Sequence, residues 1–272
     1  MRVLISIDME GIGGVVDAED VTPGTVEYER HRLQMTDEAS AAVRGVLVAD
    51  PGAAVLVTEG HGPFRNLVHD RLDRRAELVR GKPKPEGMMA GVADGVDTVV
   101  FLGYHAKAGS ARSVLAHTVN SRVIADVRCD GRSLGELGLN TALAAHHDAV
   151  PVLVAGDDSV AREAAAVAPG MHALVVKRSL GSRAAAMLHP SEVCDRIEAA
   201  VPAALADRDR VRPLQFVGPV TLEVDVLQPG MAERALLVPG MELVADRTLA
   251  YRAECFPAAY GLVQLVAALG AL

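Results

Sequence analysis

The chain has no tryptophan and only four phenylalanines and four tyrosines among its 272 residues. A core without many large rings must be filled by Val, Leu, Ala and Ile, and this favours a sheet packed by Ala-rich helices. Cysteine is equally sparse. Cys129, Cys194 and Cys255 lie far apart with no CxxC pair, which argues against a thiolate zinc site and a disulfide framework and leaves them as reduced thiols. Positive charge is also short: 27 Lys and Arg face 35 Asp and Glu, a net charge of −8 that repels nucleic acid and anionic membrane and makes neither a partner. No apolar run approaches the ~20 residues of a membrane span. Asp8 and Glu10 interrupt the first apolar stretch before it could act as a signal peptide, so the expectation is a cytoplasmic enzyme or binding protein. P-loop, GxSxG and HExxH patterns are missing, as are repeats and low-complexity tracts.

With 50% hydrophobic residues, the chain can bury a substantial core without staples. Residues 3–14, VLISIDMEGIGG, form its organising stretch. A buried-strand run ends in two carboxylates, and Asp8 and Glu10, two apart, point to the same side if strand geometry persists. Converging carboxylates repel unless something positive lies between them, and a divalent cation is the simplest candidate. The competing reading is an acidic turn in which Asp8 caps a helix and the glycines permit the bend. A dinucleotide loop is disfavoured, because GxGxxG would need glycine where Val16 stands.

Residues 25–50 carry apolar side chains at helical spacing and end at Pro51-Gly52. Residues 53–58 and 97–103 are two more buried strands, followed by His61 and by Tyr104-His105 respectively. A weak helix is expected around 66–72, a short strand over 76–79, and a hairpin over 119–132 turned by Asp130-Gly131. Helices are predicted over 133–147, 161–167 and 190–205, with strands over 151–155 and 172–176. Strands alternating with helices predict an α/β fold with a mainly parallel sheet flanked by helices, whose ligands gather outside the carboxyl ends of the strands. From residue 213 the texture changes to half-exposed antiparallel strands over 220–226 and 248–253, then a helix over 256–269. The expected organisation is an α/β metal-binding catalytic domain over 1–212 and a smaller α+β domain over 213–272.

The chemistry-bearing set is Asp8, Glu10, His61, His105 and Glu136, the last in the first turn of a helix. These oxygen and imidazole ligands suit zinc, and less distinctively manganese or cobalt. Five ligands exceed one open catalytic site but serve two ions if a carboxylate bridges. A single histidine is more often structural than ligating. His61 and His105 stand apart because each falls just past a buried strand, whereas His31, His69, His146, His147, His172 and His189 lie in or beside predicted elements. Asp157-Asp158 could be another carboxylate pair, but a helix N-cap is the more economical role.

The segments SIDMEGIGG, LVTEGHG, FLGYHA, LAHT and GRSLGELGLN, in this order and spacing, resemble the D-aminopeptidase family of binuclear zinc peptidases over nearly the whole chain. The resemblance implies that Asp8 bridges two zinc ions, that Glu10 and His61 complete one site, and that His105 and Glu136 complete the other. It also implies that His117 is the catalytic residue and that the protein is a homo-oligomer, a ring-stacked decamer in that family. The implied activity is release of an N-terminal, D-configured, small residue from short peptides or amino-acid amides. Other uses of the same ligand set are a dinuclear amidase or phosphoesterase, and a metal-dependent small-ligand binding protein. Thr58-Glu59-Gly60 departs from the Asn-Asp-Ser or Asn-Asp-Gly run that family members commonly carry there, which implies an altered contact behind His61.

Overall fold

The computed structural model describes residues 1–272. The chain runs β1 (Arg2–Ile7), α1 (Ala18–Val21), α2 (Val26–Ala49), β2 (Ala54–Glu59), β3 (Ala76–Val79) and β4 (Thr98–Tyr104). It continues through β5 (Ile124–Cys129), β6 (Arg132–Ser133), α3 (Glu136–His146), β7 (Val150–Asp157), α4 (Asp158–Val167), β8 (His172–Gly181) and β9 (Ala184–Met187). It closes with α5 (Pro190–Ala206), β10 (Val220–Val226), α6 (Pro229–Ala235), β11 (Glu242–Ala245), β12 (Thr248–Ala253) and α7 (Phe256–Gly270).

Seven strands form the main sheet in the order β3-β2-β1-β4-β7-β8-β9, parallel except for the β8–β9 edge pair. Alternation along β1 explains its two covered faces. Val3, Ile5 and Ile7 share a core with Met35, Val43 and Val46 of α2 and Val193 and Ile197 of α5, whereas Leu4 joins Leu137 of α3 and Val263 of α7 on the other face. A second, antiparallel sheet has the order β11-β12-β10-β5-β6, so three strands beyond residue 213 pair with a hairpin from mid-chain. Helix α2 starts where Thr25 Oγ1 accepts the Tyr28 amide, at 3.0 Å. No helix is long and apolar enough to cross a membrane.

Several details differ from the sequence expectation. The weak helix over 66–72 is a single 3₁₀ turn, His69–Arg71. Amides of this segment are satisfied from outside it: Glu59 accepts from Asn66 and Leu67, Thr36 from Val68, and Ser40 from Asp73. Asp130-Gly131 does turn a hairpin, but its strands are only β5 and β6, and 119–123 stays outside the ladder. β8 runs on to Gly181 and pairs with β9, whose Ala-rich sequence has little strand propensity of its own.

The strand order reverses around β1, which lies between β2 and β4. A crevice at the carboxyl ends of these three strands therefore gathers the residues just beyond each strand.

Candidate metal centre

The first turn beyond β1 is shaped by backbone packing. The Asp8 amide donates to Leu102 O at 2.9 Å, and the Gly11 amide donates to Gly103 O at 2.7 Å, so the turn lies directly against the end of β4. A Cβ on Gly11 would collide with the Tyr104 carbonyl, and Gly103, at φ +65°, abuts the Asp8 carbonyl. These glycines admit a second backbone, which accounts for the Gly-rich stretch without a phosphate. Lys177, a buried lysine of β8, holds the next residues: its Nζ donates to the carbonyls of Glu10, Ile12 and Val15 at 2.6, 2.9 and 2.6 Å. Nothing in the sequence marked Lys177, because its partners are some 165 positions away.

Three histidines converge on the carboxylates so presented. His61 Nδ1 lies 2.9 Å from Glu10 Oε2 and 3.8 Å from Asp8 Oδ1. His105 Nε2 lies 3.3 Å from Asp8 Oδ2 and 3.6 Å from Glu136 Oε1, and His117 Nε2 is 3.7 Å from that same Glu136 oxygen and 4.0 Å from Glu10 Oε1. The rings of His105 and His117 stack with centroids 4.2 Å apart. Each imidazole uses its outer nitrogen on a backbone carbonyl: His61 Nε2 on Val21, His105 Nδ1 on Ala106, and His117 Nδ1 on Leu115. If those outer nitrogens carry the protons, three lone pairs face inward. Glu136 enters from the first turn of α3, where the helix dipole favours an acid, and accepts the Val119 amide at 2.7 Å.

Beneath the centre, polar groups are chained without a gap. Tyr260 Oη donates to Asn140 Oδ1, Asn140 Nδ2 to Tyr104 Oη, and Tyr104 Oη meets Ser6 Oγ, which donates to Met88 O. This network ties β1, β4, α3 and α7 together behind the ligands.

The electrostatics are those of concentrated negative charge. Burial and the neighbouring Glu10 push the Asp8 carboxyl up to about 6. Burial alone would also raise Glu10, but the charge and hydrogen bond of His61 hold it well below the usual carboxylate range. Burial opposes a charged His61 or His105, yet Glu10 pushes the first up to about 9, and Asp8 with Glu136 pushes the second up to about 10. The pocket thus draws cationic character between its carboxylates. His105 Nε2 is buried and makes no well-aligned hydrogen bond although two carboxylates surround it, and the ligand atoms gather into two trios, Asp8/Glu10/His61 and His105/His117/Glu136, each within 4.8 Å. An orphaned imidazole nitrogen among hard oxygen donors is what divalent zinc would satisfy. Asp157, by contrast, caps α4, accepting the Ser159 and Val160 amides.

A family model described as D-aminopeptidase matches residues 1–265. The chain belongs to the D-aminopeptidase family. It is 35% identical over 252 residues to the D-aminopeptidase of Bacillus subtilis (strain 168), covering 91% of this chain and 89% of that one. It also superimposes, at a TM-score of 0.95 and 32% identity over 100% of this chain and 98% of the other, on the Zn-dependent D-aminopeptidase DppA from Bacillus subtilis, described as a self-compartmentalizing protease. As in that relative, the family's fold here is a mostly parallel sheet flanked by helices plus an antiparallel sheet.

Glu59, just before the loop that carries His61, directs its carboxylate at the backbone of residues 66 and 67. Its side chain is fully buried and accepts the Asn66 and Leu67 amides, while Asn66 Nδ2 donates to His61 O at 2.7 Å. Glu59 therefore closes the loop behind His61. The centre opens into a cleft of about 950 Å³ lined by Glu10, His61, His117 and Glu136, and walled by the 82–88 loop and α7. Lys84 and Tyr260, in those walls, are further residues that carried no motif in the sequence.

Proposed function

We propose that the protein is a dinuclear zinc aminopeptidase that releases a small, D-configured N-terminal residue from short peptides or amides. The observation that carries this is the division of Asp8: Oδ1 faces His61 and Oδ2 faces His105, so one carboxylate addresses both ligand trios. Glu10 and His61 would complete one zinc site, and His105 and Glu136 the other. Manganese or cobalt would fit the same donors less selectively. Bound there, zinc supplies Lewis acidity toward water and toward the scissile carbonyl.

The chain's own residues do the rest. His117 keeps Nδ1 on the Leu115 carbonyl, so Nε2 is free to take a proton from the attacking water and deliver it to the departing amine. The bond from carbonyl carbon to nitrogen breaks as the amine gains that proton. Glu136 and Glu10, within 4.0 Å of His117 Nε2, stabilise the imidazolium while it holds the proton. In this reading residues 1–212 are the catalytic part, and 213–272 form a smaller unit that supplies a wall of the cleft. Three unpaired cysteines agree with a reducing, cytoplasmic setting.

Assayed on matched D- and L-aminoacyl amides, the protein is expected to hydrolyse the D series, to lose turnover with a chelator and to regain it with zinc. Turnover of phosphoesters instead, or ligand binding with no hydrolysis, would replace this reading by one of its alternatives. A second expectation concerns assembly. Leu236, Leu237, Leu243, Val244 and Leu265 are exposed in the C-terminal part, and burying them between copies would suit a homo-oligomer, up to a decamer. Light scattering at micromolar concentration should give a multiple of 28.5 kDa, and a monomer would count against it.

A further inference from the structure

The cleft holds a cation that no ion pair accounts for. Lys84 lines it, and its Nζ donates to Thr58 Oγ1 and to the Glu59 carbonyl, both at 2.7 Å. That uses two of the three ammonium hydrogens, and no carboxylate oxygen comes within ion-pair reach of Nζ. The Phe64 ring lies 4.7 Å from it. Taking an ammonium partly out of water is costly, and a counter-ion normally offsets the cost. Here burial pushes the Lys84 pKa down to about 8, which still leaves it mostly protonated at neutral pH.

Its position fits a role in recognition. The Glu59 carbonyl precedes His61 by two residues, so the ammonium is anchored on the same strand end that presents that imidazole, about 7 Å of backbone before the residue that bears it. That is the reach of one or two amino-acid units beyond a bond cleaved at the centre. Lys82 and Arg122 line the same cleft. Glu86, a further acid that lines the cleft, has its Oε1 2.8 Å from His147 Nε2 and so has a basic neighbour of its own. Positive charge at this distance from the centre matches an anion at the far end of a short substrate.

We propose that Lys84 is a specificity-determining residue that receives the free C-terminal carboxylate of a di- or tripeptide, making short peptides with an ionised C-terminus the preferred substrates over capped ones. This rests on the peptidase reading above. The test compares a D-alanyl dipeptide with its C-terminally amidated analogue, in the zinc-loaded protein and in Lys84→Met, with bound zinc measured in both. A charge-assisted hydrogen bond predicts a preference of about 10- to 100-fold in kcat/KM for the free acid. Lys84→Met should abolish the preference by raising KM for the free acid far more than for the amide, with zinc content kept, and Lys84→Arg should restore part of it. Equal use of both peptides by the unaltered protein would overturn the inference, and so would an equal loss on both in Lys84→Met. If neither peptide is cleaved, the peptidase reading falls first and takes this inference with it.

Discussion

Asp8→Ala is expected to lose both metal ions and about 10⁴-fold or more of turnover, the largest effect of any single replacement in the chain. The reason lies in how the carboxylate is shared. Its two oxygens face His61 and His105 at 3.8 and 3.3 Å, so removing it takes a ligand from its own trio, strips the other of the carboxylate beside His105, and leaves two cations with nothing negative between them. The fold should tolerate the change, because β1 and the turn after it are held by backbone bonds to Leu102 and Gly103 and by Lys177. Metal analysis after purification with zinc supplied, beside circular dichroism, checks this. Retention of one tightly bound ion per chain would mean that Asp8 does not bridge. His61→Ala provides the contrast, since it should weaken one site and spare His105 and Glu136.

For His117→Ala, the expectation is a loss of about 10²–10⁴-fold in kcat with both metals kept, the range for removing a positioned acid or base. The structure sharpens this test. His117 Nε2 sits in the same trio as His105 and Glu136, so it is placed either to move a proton or to complete the second site. Metal content separates the two: loss of an ion from His117→Ala would make it a ligand, and an ion count of two with slow turnover would make it the proton carrier. Near-normal turnover on the best D-aminoacyl amide with both ions in place would remove it from the mechanism altogether.

The parts of the centre that could be read from the sequence share one property. Each of Asp8, Glu10, His61 and His105 comes just after a buried parallel strand, and the rule that such sheets gather ligands at their carboxyl ends turns linear position into proximity. Glu136 was legible as an acid in a helix's first turn. Lys177, Lys84 and Tyr260 were not, because their roles depend on long-range packing that no local spacing encodes. Secondary structure divides in the same way. The 24-residue α2 announces itself by period and caps, whereas β9 and α6 exist because of the elements they pack against. The role of Glu59 was equally hidden, since its carboxylate accepts the amides of Asn66 and Leu67, and only the fold brings those residues to it.

Lys177 also ties the centre to a distant part of the chain. The carboxylates and their turn follow β1, yet the ammonium that fixes three of that turn's carbonyls stands on β8, two strand positions beyond β4 in the sheet and separated by up to 167 residues of chain. Contacts of such sequence separation carry a larger loop-closure cost than local ones. Without β8 in place, the turn that carries Asp8 and Glu10 would lack these three hydrogen bonds. The geometry of the centre therefore depends on the sheet extending as far as β8, well away from the residues that form the centre itself.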